Sequence, residues 1–252
     1  MDLARIVDRL DSELSVRDIP DYPGAMNGLQ LQNDGSVTRV CVAVDATLPV
    51  IKKAIEAKAD LLIVHHGLFW QGAQTITGAT YRKYKAAMDA NLALYSCHIP
   101  LDVHPTLGNN AVLARKVAPG VSWEPFFDWK GIKLGLRAQL NMTCGELADS
   151  LESVLGTSLL LGPSKRAKDA GMTAIITGGA GSEVGAMAAE GIETFISGEA
   201  PHWAHGMAEE SGLSLLLGGH YATETFGVIE LGTLLQEELG LPWLFLEHPS
   251  GL

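Results

Sequence analysis

The sequence predicts an α/β protein built from two similar, linked units with mostly parallel sheets. Apolar strand-like segments alternate with helix-like segments along the chain, a pattern typical of parallel sheets joined by crossover helices. Aromatic, proline and glycine residues crowd into residues 119–131, which indicates a junction between two units. The same alternation of strands and helices then begins again, which favours an internal repeat.

The first half begins with an amphipathic helix that ends near Leu14, followed by a loop rich in proline and glycine. Alternating valines from Val40 predict a strand, and Thr47 is a candidate N-cap for the next helix. Residues 61–64 (LLIV) form a short apolar run, of the kind that parallel sheets bury on both faces. A helix over 81–91 and a strand over 92–98 complete a β-α-β-α-β pattern.

The second half repeats this pattern. A strand is predicted over 131–140, and Thr143 with Glu146 matches a capping box that opens the next helix. The remaining strands are predicted at 173–177, 194–197, 213–217 and 243–248, with helices at 182–191, 201–211 and 225–240.

Two segments of the first half, residues 38–66 and residues 97–102, each align without gaps with a segment of the second half. A shift of 133 residues places His66 on Glu199, and a shift of 122 residues places His98 on His220 and Asp102 on Glu224. We therefore expect a structural duplication. The predicted domains are residues 1–122 with 220–252, and residues 123–219.

The composition excludes several classes of protein. Lys and Arg number 18 against 29 Asp and Glu, so the formal net charge is −11, and nucleic acid is not an expected partner. Three cysteines without C-x-x-C spacing predict reduced thiols rather than a disulfide frame or a thiolate zinc site. No apolar run approaches the length of a membrane span, and the N-terminal helix lacks the apolar core of a signal peptide. We predict a cytoplasmic protein with no membrane partner.

Ligand-type side chains stand where the predicted strands end or just beyond. In chain order they are His65, His66, His98, Asp102, Glu199, His220 and Glu224. Ligands of open parallel α/β sheets bind beyond the carboxyl ends of the strands, so we expect these side chains to converge on one edge.

Imidazole nitrogens with carboxylate oxygens and no thiolate suit Zn, Mn, Fe, Co or Ni. Adjacent residues in extended backbone point to opposite sides, so His65 and His66 are expected to serve two different ions. Carboxylates such as Asp102 and Glu224 can bridge two ions, which an imidazole cannot do. The pattern therefore predicts two divalent metal ions per chain that hold a bridging water or hydroxide as nucleophile.

Other motifs favour plainer interpretations. His104 is expected to bond backbone in a turn before a helix, and His202 and His205 are expected on a helix surface. Residues 178–185 (GGAGSEVG) follow a strand and open a helix, as phosphate-binding loops do. The spacing is not G-x-G-x-x-G and there is no Walker lysine, so a tight turn is the better interpretation, although the turn could cradle a substrate phosphate.

The motifs NGLQ, VHHGLFW, CHIPLDVHPTLGNN, SGE and GHYATE resemble, in order and spacing, those of the GTP cyclohydrolase 1 type 2 homologue family. This family is also described as the Ngg-interacting factor three family, and the resemblance covers essentially the whole chain. It implies a dinuclear metal site between two similar α/β units and a toroidal homohexamer whose sites face an internal cavity.

The resemblance also implies roles for individual residues. The metal ligands would be His65, His66, Asp102, His220 and Glu224. His66 and Asp102 would serve one ion, His65 and His220 the other, and Glu224 both. His98 would lie beside the site, where it orients ligands or contacts substrate.

These patterns lead to a first hypothesis of a dinuclear metal-dependent hydrolase of GTP-cyclohydrolase-like type that uses a metal-bridging hydroxide. Glu199 is the candidate general base or substrate anchor, and His98 is the second candidate catalytic residue. A cyclohydrolase would attack C8 of guanine and release formate, whereas a phosphoesterase on a nucleotide-like substrate would attack phosphorus. The residues leave open a non-enzymatic metal-binding scaffold or metal-handling protein, and a nucleotide-binding regulator that uses residues 178–181. The small-molecule substrate is not identified by the sequence.

Overall fold

A computed structural model describes residues 1–69, 74–162 and 165–251 of the chain. The chain forms two compact units. The first comprises Met1–Leu101 and Gly227–His248, and the second comprises Asp102–Phe226 with the C-terminal residues from Pro249.

The strands, in chain order, are β1 (Gly28–Leu31), β2 (Val40–Asp45), β3 (Leu61–His66), β4 (Ala93–Ser96), β5 (Glu124–Trp129), β6 (Ile132–Thr143), β7 (Leu160–Leu161), β8 (Asp169–Ile175), β9 (Thr194–Ser197), β10 (Ser214–Leu217) and β11 (Trp243–Phe245). The helices are α1 (Leu3–Leu14), α2 (Leu48–Glu56), α3 (Gly78–Asp89), α4 (Ile99–Asp102), α5 (Asn109–Val117), α6 (Cys144–Leu155), α7 (Val184–Ala189), α8 (His202–Ser211), α9 (His220–Thr223) and α10 (Thr225–Leu239). A 3₁₀ turn at Ala180–Glu183 leads into α7.

The sheet of the first unit has the order β1-β4-β3-β2-β11. Strands β4, β3, β2 and β11 run parallel, and β1 pairs antiparallel with β4. The parallel strands β2 and β3 are apolar and buried almost throughout, as predicted for strands covered on both faces. Helix α1 buries Leu3, Ile6, Leu10 and Leu14 of the expected apolar face, whereas Val7 is only partly buried.

The sheet of the second unit has the order β5-β6-β8-β9-β10-β7. Strands β8, β9 and β10 are parallel, whereas β5, β6 and β7 join in antiparallel pairs. Lys130 and Gly131 both have positive φ between β5 and β6, as expected for a tight hairpin turn. The predicted α/β class with mostly parallel sheets is confirmed.

The central strands have the same order in the two sheets. The order β4-β3-β2 in the first matches β10-β9-β8 in the second, and each is bordered by a short antiparallel strand, β1 or β7. The shift of 133 residues that aligns the sequences carries Leu61, the start of β3, onto Thr194, the start of β9. The expected duplication therefore appears in the strand order.

The compact units divide the chain differently from the predicted domains, which place residues 102–122, residues 220–226 and the C-terminal residues from Pro249 with the first unit. In the structure these residues pack within the second unit. Helix α5 lies against α6 and β6 there, and the His220 ring contacts Glu199, which follows β9.

The predicted helix N-termini, which depend on residues close together in the sequence, are confirmed. The Thr47 hydroxyl accepts a hydrogen bond from the Val50 amide, and Thr143 and Glu146 form the predicted capping box that opens α6. Two expectations were wrong: β1 lies in a segment expected to be a loop, and β5 lies in the expected junction at 119–131.

Cys41, Cys97 and Cys144 are buried free thiols, in agreement with the prediction of reduced thiols. Among the helices of the described residues, none has both the length and the hydropathy required to cross a bilayer.

Candidate metal-binding clusters at the strand ends

Two adjacent imidazoles end β3 in the first unit. The His65 side chain is fully buried, and its Nδ1 lies 2.9 Å from the Cys97 carbonyl oxygen. The His66 Nδ1 lies 2.9 Å from Oδ1 of Asp45, the residue opposite it on β2. A carbonyl oxygen can only accept, so Nδ1 of His65 donates this hydrogen bond.

His98 joins this pair just before α4. Its ring centroid lies 5.0 Å from that of His65 and 5.6 Å from that of His66, and the centroids of His65 and His66 are 4.7 Å apart. Each of the three residues offers a ring nitrogen within 4.8 Å of the others. We call His65, His66 and His98 the histidine cluster.

A buried acid, Asp21, orients His98. Asp21 Oδ1 lies 2.8 Å from His98 Nδ1, and Oδ2 accepts from the Asn27 amide at 2.8 Å and from the Ile99 backbone N–H at 3.2 Å. Burial alone raises the pKa of Asp21, but the hydrogen bonds and the charge of His98 outweigh it, so the net pKa is lowered. Asp21 therefore remains a carboxylate that holds a proton on His98 Nδ1.

Two side chains of the sequence motif NGLQ, Asn27 and Gln30, form hydrogen bonds to the backbone at the same edge of the sheet. Asn27 Oδ1 accepts from the His98 backbone N–H at 2.7 Å, and Gln30 Oε1 accepts from the Leu68 N–H at 2.6 Å. A Cβ at Gly67 would overlap the Gln30 amide, so this glycine allows the close approach. The sequence patterns did not point to Asp21, and they placed residues 26–30 in a loop rich in proline and glycine. The polar residues Asn27 and Gln30 between apolar neighbours were the available signal.

The second unit gathers carboxylates at its equivalent strand ends. Glu224 follows α9 and is buried, and its Oε2 lies 3.1 Å from Nε2 of His220. Asp102 offers a carboxylate oxygen within 4.8 Å of one on Glu224. Asp102 Oδ1 also accepts from Asn109 Nδ2 at 2.8 Å. We call Asp102, His220 and Glu224 the carboxylate cluster.

His220 has a carboxylate at each ring nitrogen. Its Nδ1 lies 2.9 Å from Oε1 of Glu199, which is more exposed than Glu224. Burial lowers the pKa of His220, but Glu224 and Glu199 together outweigh it and raise the pKa to about 9. Glu199, the predicted general base, thus also turns Nε2 of His220 toward Glu224.

The turn at 178–181 makes room for Glu224. Gly178 has φ +69°, and a Cβ there would overlap the Glu224 carboxylate. A Cβ at Gly181 would overlap Ala200 and the Glu199 carbonyl. The helix that follows, α7, has only six residues. These glycines serve close packing at a tight turn, which is the interpretation favoured from the sequence.

Three further histidines, His104, His202 and His205, lie where the sequence predicts. His104 Nδ1 accepts from the Leu107 backbone N–H at 3.0 Å in the turn before α5. His202 and His205 are exposed on α8. Trp70, in the motif VHHGLFW, lies outside the described residues.

The donors of both clusters suit first-row divalent metal ions. Every member offers a nitrogen or oxygen donor within 4.8 Å of a donor on another member of its cluster, and no thiol belongs to these groups. Neighbouring acceptors fix Nδ1 of His65, His66 and His220, an outer arrangement typical of metal-ligating histidines.

The fold and these clusters define a class: an α/β protein of two related units that carries histidine and carboxylate clusters of metal-binding type at the strand ends. The sequence model of the family described as Duf34/NIF3 (NGG1p interacting factor 3) matches residues 1–250. The chain belongs to this family.

Relatives match over most or all of the chain. A protein of Deinococcus radiodurans named GTP cyclohydrolase 1 type 2 homolog is 39% identical over 236 residues, which cover 92% of this chain and 88% of the relative. A protein of Archaeoglobus fulgidus with the same name is 36% identical over 256 residues and covers 100% of both chains.

Solved structures share the fold. The structure of protein ybgI has a TM-score of 0.90 at 32% identity and covers 100% of both chains. TTHA1606 from Thermus thermophilus has a TM-score of 0.85 at 35% identity, again over 100% of both chains. The resemblance found in the sequence motifs is confirmed.

Proposed function

We propose that the chain binds two divalent metal ions and acts as a hydrolase of GTP-cyclohydrolase-like type. The proposed ligands are His65, His66, Asp102, His220 and Glu224. The observation that carries the proposal is the set of hydrogen bonds at Nδ1 of the three histidines, which directs each Nε2 away from its orienting acceptor. Zn, Mn, Fe, Co and Ni are the candidate ions.

The proposed division of ligands follows the family resemblance. His66 and Asp102 would hold one ion, His65 and His220 would hold the other, and Glu224 would be a ligand of both. Bound divalent ions would supply Lewis acidity that polarises an electrophile and activates water.

The protein's own groups would orient the ligands and move protons. Asp45 and the Cys97 carbonyl fix the rings of His66 and His65, and Asp21 fixes that of His98. Because Asp21 holds a proton on His98 Nδ1, we propose that any proton exchange of His98 takes place at Nε2. Glu199 is the proposed general base or substrate anchor, since its carboxylate stands partly exposed beside His220.

The names of the relatives favour GTP as the first substrate to test. Release of formate from C8 would support the cyclohydrolase, and release of phosphate alone would support the phosphoesterase. The resemblance further leads us to propose a homohexamer that acts in the cytoplasm. Multi-angle light scattering of the purified protein tests the assembly.

Metal content per chain tests the metal site. We would measure it by plasma mass spectrometry on protein purified without chelator or affinity-column metal. Wild type is expected to hold about two ions per chain, and His65→Ala and Glu224→Ala are expected to lose most of them. His205→Ala, which changes an exposed histidine on α8, is the matched control and should match wild type. Wild-type protein that takes up no stoichiometric metal after addition of Zn or Mn would overturn the proposal.

A further inference from the structure

A cavity of about 320 Å³ lies within the second unit, between α5 and the β5–β6 hairpin. This volume is at the lower end of the range of pockets that bind small organic ligands, roughly 300–1,000 Å³. Asp102 and Asn110 line its buried end, whereas Arg115 and Lys133 are exposed and mark its mouth.

The buried amide of Asn110 is bonded to the protein framework. Its Nδ2 donates to the Leu134 carbonyl at 2.9 Å and to the Asp102 carbonyl at 3.1 Å, and its Oδ1 accepts from the Thr177 N–H at 2.9 Å. Asn110 therefore supports the wall and offers a ligand little. Recognition must come from other lining groups.

Trp123 supplies a flat apolar wall with one polar atom. Val121 and Leu136 line the cavity beside it. The indole Nε1 of Trp123 is buried, and no residue in the described ranges accepts its hydrogen bond. A buried N–H without an acceptor is unfavourable, and a ligand in the cavity would supply the acceptor. An indole face beside aliphatic side chains favours a planar ring.

The mouth is cationic on a protein of net charge −11. Arg115 Nη1 donates to the Thr106 carbonyl at 2.8 Å, a neutral partner that leaves the guanidinium charge and other N–H groups for a ligand. Lys133 forms an exposed ion pair with Asp128 at 2.7 Å, which water screens. The two cations lie at the mouth and the Asp102 carboxyl lies at the buried end, so an anionic group of the ligand is placed at the mouth.

We propose that this cavity binds a small aromatic or heteroaromatic anion, with its ring against Trp123 and its carboxylate or phosphate at Arg115 and Lys133. A ring nitrogen or exocyclic oxygen accepts from Trp123 Nε1. The inference deepens the proposed function, and rests on it, in one respect: Asp102 is a proposed metal ligand, so the inner end of the ligand faces that site.

Isothermal titration calorimetry on the full chain tests the proposal, with guanosine 5′-monophosphate as the probe. Guanosine lacks the charge and inorganic phosphate lacks the ring, so each is expected to bind at least tenfold more weakly. Arg115→Gln should weaken binding of the probe about tenfold, and Trp123→Phe, which keeps a ring but loses the donor, about fivefold. Lys116→Gln is the matched control, because it removes the same charge from the same helix outside the cavity, and it should bind as wild type does.

The inference is overturned if the probe fails to bind at millimolar concentration, or if guanosine or phosphate binds as tightly. Equal affinities of wild type, Arg115→Gln and Trp123→Phe would also overturn it. The titrations are run on protein as purified and after chelation, with metal content measured on every sample. If the protein holds no metal but probe binding still depends on Arg115, the proposed function is wrong and the cavity inference stands. If the metal content is as proposed but Arg115→Gln and Trp123→Phe bind the probe as wild type does, the cavity inference is wrong and the proposed function stands.

Discussion

Glu199 can be assigned two roles, one from its contact with His220 and one from its exposure to solvent. Its Oε1 lies 2.9 Å from Nδ1 of His220, so it orients a proposed metal ligand. Its side chain is also 44% exposed, so the carboxylate is accessible to a substrate. Glutamine at this position keeps an oxygen that accepts from His220 but loses the basicity, and it therefore separates the two roles.

We predict that Glu199→Gln keeps the metal content of wild type while turnover of GTP falls by roughly 10²–10⁴-fold, the range typical of a lost general base. Formate and phosphate release are measured on samples of known metal content. Glu209→Gln, an exposed change on α8, serves as the control and should leave turnover unchanged. Loss of metal in Glu199→Gln would show that the residue acts by holding His220 and not as a base.

At the scale of elements, Asp60 joins the beginnings of two neighbouring strands. Its Oδ2 accepts from the Thr38 N–H at 2.6 Å, from the Thr38 hydroxyl at 2.7 Å and from the Arg39 N–H at 3.0 Å, just before β2. Desolvation raises the pKa of Asp60, but these hydrogen bonds outweigh it, and the net pKa is lowered. The depressed pKa means that the folded state favours the ionised carboxylate.

We predict that Asp60→Asn destabilises the protein by about 1 kcal/mol at pH 7, because the charged acceptor is lost. The contribution is present above the ordinary Asp pKa of about 4 and is lost as the pH falls through the lower folded value. The difference in urea midpoint between wild type and Asp60→Asn should therefore shrink toward pH 3. Asp89→Asn removes an exposed i,i+4 ion pair with Lys85 and should cost little at any pH. An equal loss at pH 7 and pH 3 would contradict the assigned cause.

Elements set by neighbouring residues could be predicted from the sequence. The Thr47 cap and the capping box of Thr143 with Glu146 depend on residues three positions apart. Strand β1 could not be predicted in this way, because Gly28 pairs with Ser96, far along the chain. A four-residue strand carries little periodicity of its own.

The same distinction holds at the clusters. His65 and His66 end β3, which the strand pattern alone locates, and Asp102 and Glu224 follow within seven residues of the ends of β4 and β10. Asp21 could not be found because its partner His98 is 77 positions away and its own segment has no periodic pattern. Side chains that orient ligands are fixed by tertiary contacts, whereas the ligands follow the ends of regular elements.

The whole molecule repeats one arrangement of strands with different chemistry in each copy. His66 and His98 adjoin in the first unit, with centroids 5.6 Å apart, and their aligned counterparts Glu199 and His220 are hydrogen-bonded in the second. One unit thus presents imidazoles, and the other presents carboxylates around a single imidazole. Among the aligned pairs, His66 with Glu199 changes the donor type, whereas His98 with His220 keeps an imidazole and Asp102 with Glu224 keeps a carboxylate. The chain therefore has both nitrogen and oxygen ligands.

The buried carboxylates of the second unit lead us to expect that bound metal increases the stability of the fold. Without a cation, the oxygens of Asp102 and Glu224 lie within 4.8 Å of each other at buried positions, where like charges repel. A cation that binds only the native clusters stabilises the fold by mass action, by about 2.7 kcal/mol at a concentration one hundred times its Kd. A stabilisation of this size raises the Tm of a chain of this length by roughly 5–10 °C.

We therefore predict that removal of metal by chelation lowers the wild-type Tm by roughly 5 °C or more, and that added Zn or Mn restores it. His65→Ala and Glu224→Ala should begin at a lower Tm and respond little to chelator, whereas His205→Ala should follow wild type. Calorimetric scans with and without chelator, at matched protein concentration, make the comparison. A wild-type Tm that does not move while the bound metal is lost would mean that the clusters do not couple metal binding to folding, and the carboxylate repulsion would then have to be relieved by protonation.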